Sequence, residues 1–224
     1  MKQVLVGAAR WQVDRWQSEY YPEDLPVEWQ LSFYANEFNT VLLDCRHYND
    51  TQSMNALGEM LEDCHEGFRP VLYVAVAEVE PKHVERLLQW LEALDADMGS
   101  RRLSGICLSG LNECTPEVLS SWRKVIPAEL PIALDGGKPI QLRTAEWGAN
   151  KSITATWNNG PDGQEHAWLA MISLQQQPRE LAQQLALYLQ QLPDSDCGCV
   201  IARDGYDDID RLHELVTLIR LING

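Results

Sequence analysis

The chain has no run of apolar residues approaching the roughly 20 that a membrane-crossing helix requires. Its first apolar stretch, Val4 to Val6 ahead of Arg10, is too short for the core of a signal peptide, so a cytoplasmic protein is expected. Basic charge is also scarce: 18 Lys plus Arg stand against 33 Asp plus Glu, for a net charge of -15, and no cluster of basic residues breaks the pattern. Nucleic-acid binding draws most of its affinity from neutralised phosphates, so a broad DNA or RNA surface is not expected, while the excess charge favours solubility. No G-x-G-x-x-G follows a candidate strand, which removes the main support for a dinucleotide site. The six cysteines lack a secretory context for disulfides, and Cys197-Gly198-Cys199 is spaced too closely for the paired ligands of a closed zinc site. No cofactor and no metal are implied, and no low-complexity linker or internal repeat divides the chain.

What is present is ordinary globular composition, 45% hydrophobic and 23% charged over 224 residues, enough for one domain spanning 1–224. Short apolar runs and period-2 alternation predict eight strands: Gln3 to Gly7, Thr40 to Asp44, Pro70 to Val76, Leu103 to Leu108, Pro131 to Asp135, Ser152 to Trp157, Ala167 to Ser173 and Cys197 to Arg203. Amphipathic helices are predicted over Val27 to Phe38, Thr51 to Cys64, Pro81 to Ala96, Pro116 to Val125, Pro178 to Leu192 and Asp207 to Ile222, with a weak one around Ile140 to Trp147. Strict alternation implies a parallel sheet, and eight repeats imply closure, giving a TIM-like (β/α)8 parallel barrel. The polar, turn-rich stretch Asn158 to His166 is a poor helix, so helix six is expected to be irregular or missing unless strands six and seven form a hairpin.

The residues Gly7-Ala8-Ala9-Arg10-Trp11, Trp16, Tyr20-Tyr21-Pro22, Leu25-Pro26, Tyr34-Ala35, Phe38-Asn39-Thr40-Val41 and Tyr48 together resemble the YecE-like family, domain of unknown function 72. The resemblance is concentrated in residues 7–48 and implies a TIM-like barrel with an irregular sixth unit and no established activity. It also implies a reduced polar mouth. Where the family carries Glu and Asn on strand two, this chain has Leu42 and Asp44, and His47 replaces a Phe. The family's strand-three Lys is replaced within Tyr73 to Ala77, its strand-four Gln by Cys107, and its Glu-x-Arg on strand five has no counterpart in Ala133 to Gly137.

In closed parallel barrels ligands bind at the C-terminal strand ends, which singles out Arg10, Trp11, Asp44, Arg46, His47, Tyr48, Glu78, Asn112, Glu113, Asp135, Asn158, Arg203 and Asp204. Period-2 geometry places Leu42, Asp44 and Arg46 on the inner side of strand two. Asp44 and His47 are the candidate acid/base pair. Arg10, Trp11, Arg46, Tyr48, Arg203 and Asp204 are the candidate ligand-binding set. Two other readings stay open: the arginines pair with Asp44, Asp135 and Asp204 as an ion network, and Trp11, Trp16, Tyr20 and Tyr21 fold the first loop onto the barrel instead of forming a ligand platform. The acidic loop Asp204 to Asp208 argues against phosphate. The expected partner is a small polar or anionic molecule, in a binding or regulatory barrel or in a hydrolase, lyase or isomerase. At physiological salt the protein is expected to show no measurable affinity for duplex DNA; a micromolar, salt-sensitive complex in a fluorescence-anisotropy titration would overturn the charge argument.

Overall fold

The structure is a computed structural model that describes residues 2–98, 103–110, 121–122, 124–127, 130–135, 153–155, 168–192 and 197–224. Its strands are β1 (Val4–Ala8), β2 (Thr40–Asp44), β3 (Val71–Ala75), β4 (Gly105–Ser109), β5 (Ile132–Asp135), β6 (Ile153–Ala155), β7 (Leu169–Ser173) and β8 (Gly198–Asp204). They lie in the order β6-β5-β4-β3-β2-β1-β8-β7, and every pairing is parallel. The result is a nearly closed TIM-like barrel, in which no ladder joins β6 to β7 among the described residues. Because β6 and β7 run in the same sense, they do not make the hairpin that the sequence left open.

The described helices are α1 (Trp16–Glu19), α2 (Gln30–Ala35), α3 (Thr51–Glu62), α4 (Pro81–Met98), α5 (Pro178–Gln191) and α6 (Ile209–Asn223). The helix expected from Val27 is divided: Val27–Trp29 is a 3₁₀ turn, and the α-helix begins at Gln30. Of the helix expected over 116–125, residues 121–122 and 124–125 are helical; the remainder, the helix expected over 140–147 and the connection 158–166 lie outside the described residues. Local chemistry fixes the ends. The Asp50 carboxylate accepts the Ser53 N–H at 2.7 Å and opens α3 with a capping box, while Asp208 caps α6. At the C-terminus of α5 the Lys2 ammonium donates to the Leu189 and Leu192 carbonyls, a cation placed at the negative end of the helix.

Two apolar layers follow from strand alternation. Residues such as Val41, Leu43, Leu72, Val74, Ile106, Leu108, Val200 and Ala202 face outward and are covered by Leu57, Leu61, Leu87, Leu91, Leu185, Leu212 and Leu215 of the helices. Fully burying one such side chain contributes roughly 1.5–3 kcal/mol, so this annulus dominates the favourable side of folding. The other faces fill the barrel with Leu5, Leu42, Val71, Cys107, Ala133, Leu169, Met171, Cys199 and Ile201, and Trp168 packs against the same cluster. A Cβ on Gly105 would lie 2.6 Å from the Trp168 ring, so the glycine makes room for the indole.

The seam between β1 and β2 is unusual in using side chains as rungs. The Tyr34 hydroxyl accepts the Ala8 N–H at 2.8 Å and donates to the Thr40 carbonyl at 2.9 Å. The Asn39 carboxamide oxygen accepts the Val6 N–H at 2.6 Å. A Cβ on Gly7 would fall 1.8 Å from the Thr40 oxygen, so only glycine permits this approach. Tyr34→Phe strands two buried backbone groups, and an about 1–3 kcal/mol loss in urea-unfolding stability is expected, whereas an unchanged midpoint would deny the rung any role.

Candidate functional site

The upper end of the barrel interior is polar because of the same period-2 geometry that makes its lower part apolar. On β2, Thr40 and Leu42 are followed by Asp44; on β8, Cys199 and Ile201 are followed by Arg203. The Ser109 hydroxyl of β4 donates to the Val74 carbonyl of β3 at 3.4 Å, Tyr73 of β3 lines the mouth, and Asp135 ends β5 with 3% exposure. Arg203 reaches over the mouth from β8, placing its guanidinium 3.4 Å from the Asp135 carboxylate on the non-adjacent β5.

Beside this layer lies a cavity of about 600 Å³, within the range of small-molecule sites. Arg10, Trp11, Asp44, Arg46, His47, Tyr48 and Arg203 all line it, so the C-terminal ends of three neighbouring strands and the loops after two of them meet there. Asp204, one place beyond Arg203, does not line it; its backbone carbonyl instead accepts the Leu174 N–H at 2.8 Å. Asn112, Glu113 and Asn158 lie outside the described residues. The remaining wall was not singled out from sequence: Tyr73 and Met171 lie toward the barrel, and Ser53, Ala56 and Met60 form a strip on α3. The i, i+3, i+7 spacing of that strip is visible in the sequence, but nothing local shows that a cavity, and not solvent, lies over it.

Arg46 corrects the strand-based expectation. β2 stops at Asp44, and Cys45–His47 turn into a 3₁₀ segment, so Arg46 is not on the inward face of an extended strand. Its guanidinium folds back: Nε donates to both Asp44 oxygens at 2.9 and 3.0 Å, while the terminal nitrogens bond Asp44 and Glu78. The Arg46 N–H also donates to Asp44, at 3.1 Å. Partial burial pushes the Asp44 carboxyl up, but the hydrogen bonds and charge of Arg46 outweigh it, and the net pKa falls below the usual carboxylate range. Of the ion network considered from sequence, Asp44 and Asp135 do take arginines, Asp204 takes none among the described residues, and Glu78 joins. Arg10 is exposed and has no ion-pair or side-chain hydrogen-bond partner among the described residues.

The aromatic first loop is mostly structural. Trp16 is fully buried, stacks on Tyr34 at 6.0 Å and donates its indole N–H to the Asp207 carbonyl at 3.0 Å, tying the first loop to the last. The Tyr21 hydroxyl donates to the Trp11 carbonyl at 2.6 Å and so holds Trp11 against the cavity. Tyr48 is buried, and that burial, with the nearby Asp44 charge, pushes its hydroxyl pKa up, so it faces the site as a neutral phenol. Inside the barrel Cys199 is pushed up to about 12 by burial, and Cys107 is likewise raised by burial, so both remain thiols. No group of three or more His, Cys, Asp or Glu converges as a metal site among the described residues.

Residues 5–77 match the family profile described as protein of unknown function DUF72. A solved DUF72 family protein from Thermotoga maritima superposes with a TM-score of 0.68 at 16% identity, covering 96% of this chain and 99% of that one. The orotidine monophosphate (OMP) decarboxylase of Leishmania donovani superposes with a TM-score of 0.51 at 10% identity, covering 98% of this chain and 92% of that one, a likeness of fold alone. No curated protein matches the chain by sequence.

The Asp44 clamp has a pH signature. Its folded pKa lies below the ordinary value of 3.8, so its contribution to stability is present above that value and is lost as pH falls through the folded pKa. Arg46→Met is expected to raise the Asp44 pKa in a carboxyl ¹³C NMR titration while costing only about 0–1 kcal/mol at neutral pH, because the pair is partly exposed. An unmoved titration would mean that Arg46 does not hold the carboxylate in solution.

Proposed function

We propose that the chain is a DUF72-type barrel, its residues 5–77 matching that family's profile and carrying every cavity-lining residue except Met171 and Arg203, and that it binds a small polar or anionic molecule at the C-terminal mouth of the barrel. The observation that carries this reading is the convergence of Arg10, Arg46 and Arg203 on one cavity whose wall also holds aromatic and apolar groups, Trp11, Tyr48, Tyr73, Leu42, Met60 and Met171, beside the polar Gln12, Asp44, His47 and Ser53. In a concave site guanidinium groups form charge-assisted hydrogen bonds to an anion, and two of the three are held in place by carboxylates, Arg46 by Asp44 and Arg203 by Asp135. The site is a reduced one by the standard of the family resemblance, with Leu42 and Cys107 where polar groups are expected.

Binding is preferred to a hydrolase, lyase or isomerase activity built on Asp44 and His47. A general base needs an oxygen available to take a proton and a pKa near the working pH. Both Asp44 oxygens are engaged by Arg46, and the carboxyl is held low. In this reading Asp44 positions Arg46, and Arg46 in turn neutralises a carboxylate that would otherwise repel an anion.

Screening of small metabolites by thermal shift on the full chain is expected to yield at least one stabilising ligand. Arg46→Ala uncovers Asp44 inside the cavity and is expected to abolish that shift with little change in the ligand-free melting temperature. Arg203→Ala is a poorer probe, since it removes a cation from the buried Asp135 carboxylate and is expected to destabilise the fold as well. An empty screen, or a ligand indifferent to Arg46→Ala, sinks the proposal.

A further inference from the structure

Resting on that reading of the mouth, we infer that its ligand class is a monocarboxylate with an apolar body, the carboxylate taken by Arg10 and the body laid along α3 beneath Trp11. The charge balance of the site leads to this assignment. Arg46 is matched by Asp44 and Arg203 by Asp135, while Glu78, the second partner of Arg46, is more than half exposed, screened by water and off the cavity lining, so those two guanidiniums bring little net positive charge to an incoming ion. Arg10 lines the same cavity with no ionic partner among the described residues and supplies one positive charge. A singly charged carboxylate fits that supply and the planar fork of a guanidinium. A phosphate ester, with charge near -2 at neutral pH, would leave charge unmatched beside Asp44 in a protein whose net charge is -15.

The rest of the wall defines the body of the ligand. Ser53 is engaged by its helix cap, its hydroxyl donating to the Asp50 carbonyl at 3.0 Å, which leaves the strip on α3 to present the methyl of Ala56 and the thioether of Met60. Met60 is half-buried against the outer core, and a flexible thioether adapts to varied apolar shapes. Trp11 contributes a ring held in place through its backbone by Tyr21, and Tyr48 a neutral phenol. This part of the surface rewards burial of hydrocarbon at about 25 cal/mol per Å², while the polar Gln12 and His47 lie at its exposed rim.

Four probes separate the contributions: hexanoate, hexanamide, hexyl phosphate and acetate, titrated into the full chain by ligand-observed NMR and calorimetry. Hexanoate is expected to bind the wild type, with hexanamide and acetate weaker by about tenfold or more and hexyl phosphate weaker than hexanoate. Arg10→Gln is expected to weaken hexanoate by about tenfold without affecting hexanamide, with partial recovery in Arg10→Lys. Ala56→Asp is expected to weaken hexanoate with the fold retained, because residue 56 is exposed. Equal or tighter binding of hexyl phosphate, indifference of hexanoate to Arg10→Gln, or no hexanoate binding would overturn the inference. If hexanoate fails while the metabolite screen returns a neutral or hydroxylated ligand lost in Arg46→Ala, the monocarboxylate assignment falls and the mouth remains a binding site. If both fail, the binding reading falls with it.

Discussion

At the seam between β1 and β2 the strands approach so closely that no side chain fits between them at Gly7, and the hydroxyl of Tyr34 takes the place of a backbone rung. Much of the cavity depends on this closeness. The loop carrying Arg10 and Trp11 leaves the end of β1, and the turn carrying Arg46, His47 and Tyr48 leaves the end of β2. The separation of those two segments is set by the seam beneath them. Buried backbone groups must be partnered, and here the partner is a side chain from α2, so helix position and strand spacing are tied together.

Around that seam the first loop is locked on three sides. Trp16 is inserted between Tyr34 and Tyr206 and is bonded to the backbone of the loop after β8, while Tyr21 holds the Trp11 carbonyl. Aromatic rings supply large buried area with few torsions to fix, which suits a loop that must be rigid without regular structure. The left-handed Gly205 (φ 72°) turns the chain after β8, where an added Cβ would lie 3.2 Å from Gln175 of the loop after β7. The mouth is thus a set of loops made stiff by packing, in which the guanidinium groups of Arg46 and Arg203 are oriented by carboxylates.

Those carboxylates give the site its character. In a low-dielectric recess a lone charge is costly, and each of Asp44 and Asp135 has an arginine within 3.5 Å. The ion network and the cavity wall, which are alternatives when only the sequence is in view, share Asp44, Arg46 and Arg203 in the folded protein. Arg46 and Arg203 complete the ion network and also form part of the cavity wall, whereas Arg10 belongs to the wall alone among the described residues.

The sequence by itself determined the alternation of strands and helices, the parallel barrel, the inward placement of Leu42 and Asp44, and the resemblance carried by Gly7, Trp11, Trp16 and Tyr34. These follow from periodicities of 2 and 3.6 and from residues with steric demands no substitute meets, all of them local properties. It also indicated the mouth residues as a group, because a closed parallel barrel brings the C-terminal ends of β8, β1 and β2 to one side. Only the tertiary structure decided that β2 ends at Asp44 and turns Arg46 back on it, that Glu78 and not Asp204 joins the ion network among the described residues, and that Ser53, Ala56 and Met60 line a cavity. Each of these depends on groups distant in the chain meeting in space: Arg46 with Glu78 across two strands, Arg203 with Asp135 across the barrel mouth, and α3 with the loop after β1. Pairing between distant residues leaves no periodic trace in a single sequence, since an exposed arginine and a paired one are written the same way.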